Sequence, residues 1–473
     1  MYHYNFNCQD SKRVHEVATH ARVAARDILD NSACALGAGA TCPTRPREIC
    51  CINTLFTDVK GAGLMRDLAK RKLPYAQVKY GREEVDAVLA VLNGDSGKLA
   101  IGINVAEMES RVAALFGKAH GVMCNSGSSA LYLAVELLDL NRGDEVITSP
   151  IVFSTDLAPL LRAGLVPVFV DVELDTFQID VKAIEEMIGP RTRALLIPNL
   201  TGNAPDWDAI RAIADRHGLC VIEDSCDALG LTLRGTPTGT LSDITVTSFA
   251  LSHHITCAGH GGMVMIDDEG LRDRCLLLRR WGRRSEVMTF GSRKGERDFR
   301  ELLDGVSYDN SFIFDESAWN FEPNELCAAF GVGQLNRLPE LLSRRSRNFD
   351  LLRSYLLRHP DLFIPPRTTA EVDTTWQTFC FLIQPASGIR RADLQQFLEE
   401  YGISTRTVWT GNATRQPMMR NAGFRQPTAG MPNADRVFEY GMLVPSGPSM
   451  TDEDVDYICN AFDLYFDHHD GRV

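Results

Sequence analysis

Apolar residues in the middle of the chain come in short runs, separated by longer segments whose apolar positions recur with helical spacing. The runs are rich in β-branched residues, as in strands that are buried on both faces. We predict seven strands, at 121–124, 145–149, 166–172, 194–198, 219–224, 244–249 and 262–266. We predict helices between several of them, at 128–139, 156–163, 180–188 and 206–217. This alternation favours an α/β fold with a mostly parallel sheet that helices cover on both faces.

The pattern changes towards both ends of the chain. Residues 1–74 show no steady periodicity except an amphipathic stretch at 14–30, and we predict an N-terminal extension that is loosely ordered in part. Near residue 340 a long predicted helix, at 323–358, leads into a smaller α/β region that ends in a predicted helix at 451–466. We therefore predict a large domain at 75–340 and a small C-terminal domain at 341–473.

The composition is that of a globular protein, with 44% hydrophobic residues and a net charge of −13. An acidic chain has no general attraction to nucleic acid or to an anionic membrane, so we expect neither as a partner. No apolar stretch reaches the roughly 18 residues of a membrane span, and the N-terminus lacks a secretory pattern. We therefore expect a cytoplasmic protein. The 13 cysteines follow no disulfide or zinc spacing, so we expect free thiols and no metal site.

Three polar clusters each follow a predicted strand, which is where open parallel sheets bind their ligands. The first, 125–131, opens a helix with small residues, which suits a phosphate cradle or an ordinary serine-rich helix cap. The second, 221–230, contains Asp224 at a strand end, where it could pair with the ring nitrogen of a pyridine cofactor or cap a helix. The third, 248–264, places His253 and His254 beside a glycine-rich turn, which favours a functional histidine over core packing.

Taken together, the three clusters resemble the DegT/StrS family of sugar aminotransferases and dehydratases. The resemblance extends from about residue 75 to residue 465 and includes the segments 80–84, 167–172, 319–320 and 325–331. It implies the aspartate-aminotransferase fold type, fold type I, with a mostly parallel seven-stranded sheet and a smaller C-terminal α/β domain. It also implies pyridoxal 5′-phosphate (PLP) or pyridoxamine 5′-phosphate (PMP) as the cofactor.

The resemblance also implies which residues hold the cofactor phosphate. By matching position these are Gly127, Ser128 and Ser248 of one subunit. Asn320 would reach the same phosphate from the partner subunit. A homodimer with shared active sites is therefore implied.

Three further residues would contact the cofactor ring, again by matching position within the family. Phe153 would stack on the pyridine ring, and Asp224 would pair with its nitrogen. Asn203 would lie beside the ring hydroxyl group.

The chain departs from the family's aminotransferases at the position of the lysine that binds the cofactor covalently. That position is a histidine here, and the lysines nearest to it in sequence are Lys182 and Lys294. Imidazole cannot form the Schiff base that a lysine amine forms. We therefore expect a cofactor that is held without a covalent bond and that works as PMP.

Two neighbouring histidines are candidates for the catalytic base. Counted forward from Ser248, the lysine position is His253. Counted back from the glycine pair at 261–262, the position is His254. We prefer His253, because the strand end fixes the first count, and His254 stays open as the alternative.

Histidine in place of lysine, followed by His-Ile-Thr, is similar to the branch of the family that contains 3-dehydratases of nucleotide-linked 4-keto-6-deoxysugars. Segments 200–203 and 411–417 are similar to that branch as well. The similarity implies a lyase of deoxysugar biosynthesis that removes the C3 hydroxyl group of a nucleotide sugar. A histidine suits this elimination because its ordinary pKa lets it act as a base near neutral pH.

One subtype of that branch carries an iron–sulfur cluster, and the other is reloaded with an amino group from glutamate. The cluster needs four cysteines. Cys226 matches one of them, but the segment after 281–283 has no cysteine before Cys327. We therefore expect no iron–sulfur cluster and an amino donor such as glutamate.

The substrate contacts are less specified by the sequence. Arg406, Asn412 and Arg415 are candidates, because an arginine offers paired donors to a phosphate or a carboxylate; surface arginines would look the same. Two other functions stay open. One is another elimination or aminotransfer on a non-sugar keto substrate in natural-product biosynthesis, and the other is a non-catalytic PLP-binding relative.

Overall fold

The computed structural model of the 473-residue chain describes residues 71–94, 97–296 and 300–469. The predicted amphipathic helix at 14–30 and almost all of the predicted N-terminal extension lie outside the described residues.

The elements are numbered here in chain order over the described residues. The helices are α1 (Arg82–Asn93), α2 (Ile103–Leu115), α3 (Gly127–Leu137), α4 (Ser154–Ala163), α5 (Trp207–His217), α6 (Glu269–Arg279), α7 (Ser285–Phe290), α8 (Glu325–Asn336), α9 (Leu338–Leu356), α10 (Arg391–Glu400), α11 (Pro432–Tyr440) and α12 (Asp452–His469). The strands are β1 (His120–Cys124), β2 (Glu145–Thr148), β3 (Val166–Phe169), β4 (Thr192–Pro198), β5 (Cys220–Asp224), β6 (Thr232–Leu233), β7 (Thr236–Pro237), β8 (Ile244–Ser248), β9 (Gly262–Ile266), β10 (Arg300–Leu303), β11 (Val306–Asp309), β12 (Phe363–Ile364), β13 (Val372–Asp373), β14 (Phe379–Ile383), β15 (Arg406–Thr407) and β16 (Gly441–Val444).

Seven of these strands form one central sheet with the order β1-β9-β8-β5-β4-β2-β3. Neighbouring strands from β8 to β3 run parallel, whereas β9 runs antiparallel to both β1 and β8. Each of the seven coincides with a run of apolar residues that predicted a strand. The prediction of a mostly parallel, seven-stranded α/β sheet is therefore confirmed.

The strands are mostly apolar because both faces of the sheet are covered. Leu196 and Ile222 point to one face, where they pack in a core with helices α3 and α6. Their sequence neighbours Leu195 and Val221 point to the other face and pack with Trp207 and the rest of α5. Successive side chains of a strand alternate between faces, so a sheet buried on both sides favours apolar residues at successive positions.

The predicted helix at 180–188 is wrong. This segment forms two separate 3₁₀ turns, Val181–Ala183 and Glu185–Met187. The segment ends at Gly189 and Pro190, and so short a stretch closes few of the hydrogen bonds that make an α-helix cooperative.

The single long helix predicted at 323–358 is also wrong, because the chain forms two helices, α8 and α9, on either side of Arg337. Pro339 lies in the first turn of α9. A proline is tolerated there, whereas inside one continuous helix it would remove a hydrogen bond and clash with the carbonyl four residues earlier.

The C-terminal part of the chain contains a second, smaller sheet. It has four antiparallel strands in the order β12-β14-β16-β15, all of them after residue 360. The predicted terminal helix at 451–466 is present as α12. The proposed boundaries of the large and small domains stay predictions. Across the described ranges, no helix has the length and apolarity that crossing a membrane requires.

Candidate active site

A cavity of about 570 Å³ opens at the carboxyl end of the central sheet, where β4, β5 and β8 end. The first residues of α3 and α4 also line it. Parallel α/β sheets bind their ligands at this edge. A larger hollow of about 910 Å³ lies among α1, α2 and α6, but none of the predicted site residues lines it. The smaller cavity is therefore the candidate active site.

The tightest approach in the cavity is between the start of α3 and the end of β8. A Cβ atom added to Gly127 would lie 2.6 Å from the Cβ of Ser248 and 3.1 Å from the Sγ of Cys226. Any larger residue at position 127 would push the helix and the strand apart. Both Gly127 and Ser248 line the cavity, as the family resemblance implied.

The start of α3 offers hydrogen-bond donors to an anion. The Ser126 hydroxyl caps the helix by accepting a hydrogen bond from the Ser129 amide at 3.1 Å. Ser128 lies in the first turn and lines the cavity. Amide groups of a first helical turn have no partner within the helix, and the helix dipole attracts negative charge to them. This end of the cavity therefore fits a phosphate group.

Phe153 and Asp224 line the same cavity from two different elements. Phe153 precedes α4, and 57% of it is exposed, although most large apolar side chains nearby are buried. Asp224 is the last residue of β5, and its carboxylate accepts a hydrogen bond from the Cys226 amide at 2.9 Å. A half-exposed aromatic ring and a carboxylate in one cavity fit a flat cationic ring such as a pyridinium.

Two further acids lie beside Asp224 and were not predicted from the sequence. Asp156, in the first turn of α4, is only 1% exposed, and burial together with the Asp224 carboxylate raises its pKa well above the ordinary value. Burial, with Asp224 again contributing, raises the pKa of Asp227 to about 8. Asp227 lies just after the predicted strand 219–224, so its position could have marked it as a candidate site residue. Asp156 carried no such signal in the sequence.

The structure brings only one of the two candidate histidines to the cavity. His253 lines it, and its Nδ1 lies 3.7 Å from an oxygen of the Asp227 carboxyl group. His254 does not line the cavity, and its Nε2 lies 2.7 Å from the Thr375 carbonyl oxygen. Because a carbonyl oxygen only accepts, His254 donates from Nε2 and its ring is tied to the C-terminal part of the chain.

Burial lowers the pKa of both histidines. The pKa of His253 falls to about 4, through burial first and the nearby Arg345 guanidinium second. The pKa of His254 falls to about 3 for the same reasons. Both imidazoles are therefore neutral at pH 7, and a neutral imidazole has a nitrogen that can accept a proton.

The histidine segment is held from outside by side chains that lie far along the chain. Arg345 of α9 is 5% exposed and donates to the carbonyl oxygens of His253, at 3.3 Å, and of Gln377. The Gln377 side chain in turn donates to the Ser252 carbonyl at 2.6 Å. These contacts fix the backbone on both sides of the point at which His253 enters the cavity.

The structure does not place Asn203 among the residues that line the cavity, so its contact with the ring hydroxyl group stays a prediction. Its side chain is fully buried. The amide nitrogen donates to the carbonyl oxygens of Thr176 and Arg367, and the amide oxygen accepts from the Thr369 amide. Backbone groups therefore occupy both donor positions and one acceptor position of this side chain.

Only one of the three predicted substrate-binding residues lines the cavity, and that residue is Arg406. The predictions for the other two are not supported by their positions. Asn412 is buried and donates to Asp435 at 2.7 Å. Arg415 donates to the same carboxylate at 2.7 Å and lies over the Phe438 ring. Both side chains are engaged in holding the C-terminal region together.

Asn320 lies exposed on the surface and does not line the cavity of its own chain. Its side-chain oxygen accepts a hydrogen bond from the Glu322 amide at 2.8 Å. The predicted contact of Asn320 with the partner's cofactor stays a prediction.

Several lining residues were not predicted from the sequence. They are Tyr75, Gln377, Trp409, Thr410 and Gln416. Of these, only Gln416 lies in a segment that was similar to the dehydratase branch. Tyr75 comes from the chain before α1, and the other three come from the C-terminal part, so tertiary contacts that no local pattern reports bring them to the cavity.

Cys226, the one match to the iron–sulfur pattern, lies in this cavity, where burial raises the pKa of its thiol well above the usual value. Within the described ranges, no three His, Cys, Asp or Glu side chains are arranged to hold a metal ion.

Residues 79–463 match the model of the DegT/DnrJ/EryC1/StrS aminotransferase family. The chain belongs to this family. The dTDP-4-dehydro-2,6-dideoxy-D-glucose 3-dehydratase of Saccharopolyspora spinosa is 36% identical over 389 residues, which cover 80% of this chain and 84% of that protein. The lipopolysaccharide biosynthesis protein RfbH of Salmonella typhimurium is 34% identical over 371 residues, which cover 76% of this chain and 84% of that protein.

Solved structures of the DegT/DnrJ/EryC1/StrS family have the same fold. A GDP-4-keto-6-deoxymannose-3-dehydratase with a trapped PLP–glutamate geminal diamine matches with a TM-score of 0.75 at 28% identity. The match covers 82% of this chain and all of that chain. The family resemblance and the fold class predicted from the sequence are therefore both confirmed.

Proposed function

We propose that this member of the DegT/DnrJ/EryC1/StrS family is a PMP-dependent 3-dehydratase of a nucleotide-linked 4-keto-6-deoxysugar. The family and the fold make it a PLP-type, sugar-modifying enzyme. A relative named as a 3-dehydratase is 36% identical. We propose glutamate as the amino donor, because a similar solved structure holds a PLP–glutamate adduct.

The observation that carries the proposal is the identity of the basic side chain in the cavity. His253 lines it, and none of the lysines in the described part of the chain does. Among the described residues, no lysine amine lies in the cavity to form a Schiff base with a cofactor bound here. The geometry supports His253, rather than His254, as the group that moves a proton.

The cavity residues fit the cofactor at both of its ends. The start of α3, with Gly127 and Ser128, and Ser248 would hold the phosphate, while Phe153 and Asp224 would hold the ring. When bound, the cofactor supplies an amine for the substrate ketone and a ring that accepts electrons. Asp224 would keep the ring nitrogen protonated, which is the state in which the ring withdraws electrons best.

His253 would take a proton at the imidazole nitrogen that faces the cavity. A pKa of about 4 keeps the imidazole neutral at pH 7, and so ready to accept the proton, but it also makes the protonated form costly. The Asp227 carboxyl group lies 3.7 Å from Nδ1 and would stabilise the positive charge on the ring by ionising as that charge develops. His253 and Asp227 would therefore act together.

The cavity also bears on one of the two alternatives that the sequence left open, the non-catalytic relative. A relative that had lost catalysis by decay would not be expected to keep the close approach at Gly127 and the strand-end carboxylate of Asp224, yet both are in place. We also propose a homodimer, because Asn320 does not line its own cavity and the family resemblance implies that it reaches the cofactor of a partner.

A turnover assay tests the proposed reaction. The PMP-loaded protein is mixed with glutamate and, in separate reactions, with nucleotide-linked 4-keto-6-deoxysugars that differ in nucleotide and stereochemistry. We expect a product that lacks one oxygen atom and has a methylene group at C3, formed together with equal amounts of ammonia and 2-oxoglutarate. Mass spectrometry and proton NMR read the product. An amino sugar that keeps its C3 hydroxyl group, or no turnover with any sugar, would contradict the proposal.

A further inference from the structure

Two buried carboxyl groups meet at the place where the cofactor's ring nitrogen is expected. Asp156 comes from the first turn of α4, and Asp224 comes from the end of β5. Both line the cavity, and their side chains lie within hydrogen-bonding reach of each other. Asp156 is 1% exposed and Asp224 is 7% exposed, so water would screen the repulsion between two negative charges only weakly.

Two ionised carboxylates cannot form a hydrogen bond, because neither has a hydrogen to donate. Oδ1 of Asp156 is buried and accepts no hydrogen bond from any donor group in the described part of the chain. A proton between the two acids would satisfy that oxygen and remove the repulsion. Pairs of carboxyl groups that share one proton in this way behave as a unit.

The surroundings indicate which of the two acids carries the proton. Asp224 accepts a hydrogen bond from the Cys226 amide at 2.9 Å, which stabilises its ionised form. Asp156 is the more deeply buried of the two, and its Oδ1 has no hydrogen-bond partner among the described residues. The pKa of Asp156 is raised well above the ordinary value by burial and by Asp224.

We propose that Asp156 and Asp224 share one proton, and that Asp156, as the protonated partner, positions the Asp224 carboxylate for the cofactor's ring nitrogen. The inference rests on the ring-binding role of Asp224 within the proposed function. Asp227 does not add a second full charge at pH 7, because burial raises its pKa to about 8. One negative charge then faces one pyridinium cation.

Three substitutions of similar shape distinguish a proton held by Asp156 from a negative charge on it. Asp156→Asn keeps a hydrogen-bond donor to Asp224 and removes only the ability to ionise. Asp156→Leu keeps the approximate shape but has no donor. Asp224→Asn removes the charge itself and serves as the reference for a lost contact to the ring. Thermal melting and near-ultraviolet circular dichroism confirm that each full-length variant is folded.

The readouts are the affinity for PMP and the ¹⁵N chemical shift of PMP labelled at its ring nitrogen, and neither needs turnover or a substrate. We expect Asp156→Asn to keep the wild-type shift and an affinity within about twofold of wild type. Asp156→Leu should weaken PMP binding roughly tenfold, as expected for the loss of one hydrogen bond to a charged group. Asp224→Asn should lose the shift of a protonated ring.

Two results would overturn the inference. If Asp156→Asn loses ring protonation as Asp224→Asn does, then Asp156 is a second anion and not the holder of a proton. If Asp156→Leu binds PMP as tightly as wild type, then Asp156 does not position Asp224. A different failure, in which Asp224→Asn changes neither readout, would instead remove the ring-binding role of Asp224 from the proposed function.

Discussion

The two walls of the cavity are built in different ways. The sheet wall, formed by Gly127, Asp224 and Ser248, consists of strand ends and a helix start that the central sheet holds in place. The loop wall, Ser252 and His253, is held mainly by side chains of the C-terminal part: Arg345 and Gln377 reach it across 92 and 125 residues of sequence. The sheet wall is thus set by topology, whereas the loop wall depends on long-range contacts. We expect changes in the first to affect cofactor binding and changes in the second to affect proton transfer.

The largest effect is expected at His253, in the loop wall. His253→Asn should lower kcat about 10²–10⁴-fold, the usual contribution of a positioned acid or base, because asparagine cannot take up a proton. PMP affinity should stay within about twofold of wild type. His254→Asn is the matched control, and a loss of less than roughly tenfold is expected there, because His254 faces the Thr375 carbonyl and not the cavity. Steady-state kinetics and a PMP titration measure both variants. A larger loss of kcat in His254→Asn than in His253→Asn would identify His254 as the base.

The next effect concerns the contacts that hold the loop wall. Arg345→Met leaves the carbonyl oxygens of His253 and Gln377 without this donor. An unsatisfied carbonyl group costs about 1–3 kcal/mol of stability. We expect a lower kcat, a lower melting temperature and an unchanged affinity for PMP. Arg347→Met on the same helix is the control: Arg347 is exposed and paired with Asp452, so its loss should change kcat and the melting temperature little. Equal effects of the two variants on kcat would show that Arg345 does not position His253.

A smaller effect is expected in the sheet wall. Gly127→Ala places a methyl group 2.6 Å from the Cβ of Ser248, so the helix start must move away from the strand end. Such overpacking costs about 1–3 kcal/mol, and we expect most of it to appear as weaker PMP binding, measured by fluorescence titration. Gly143→Ala, at an open turn with a left-handed backbone, serves as a control for general strain. PMP affinity unchanged in Gly127→Ala would argue against a phosphate at this end.

The mildest test uses pH alone. The pKa of His253 is lowered to about 4, so the neutral base is present above that value and is lost only as the pH falls through it. Between pH 7 and pH 5.5 we therefore expect kcat to fall less than about twofold on account of this group. A histidine with an ordinary pKa near 6.5 would lose roughly tenfold over the same interval. An acid limb in the kcat profile near pH 6.5 would show that burial and Arg345 do not hold His253 neutral during turnover.

The difference between the walls also explains what the sequence could predict. The seven strands of the sheet appear as apolar runs, and Asp224 and Ser248 stand at their ends, so a local pattern reports them directly. Gly127 is visible as a small residue at a helix start. Arg345, Gln377 and Asp156 have no local signature, because their roles come from contacts between segments that are distant along the chain.

The same contrast explains why some predicted site residues do not line the cavity. Asn203 stands after a strand in a polar cluster, but three backbone groups occupy its side chain once the chain has folded. Asn412 and Arg415 have the residue types of a substrate site, yet both bind Asp435. Hydrogen-bonding side chains are used for structure or for ligands according to what surrounds them, and the surroundings are set by tertiary contacts.

Covalent labelling tests most directly whether a histidine has taken the place of the cofactor-binding lysine. The wild-type protein and the His253→Lys variant are each incubated with PLP, reduced with borohydride and measured by mass spectrometry with peptide mapping. We predict no stoichiometric pyridoxyl adduct on any lysine of the wild-type protein, and one adduct at residue 253 of the variant. A stoichiometric adduct on a wild-type lysine would contradict both the non-covalent cofactor and the role of His253.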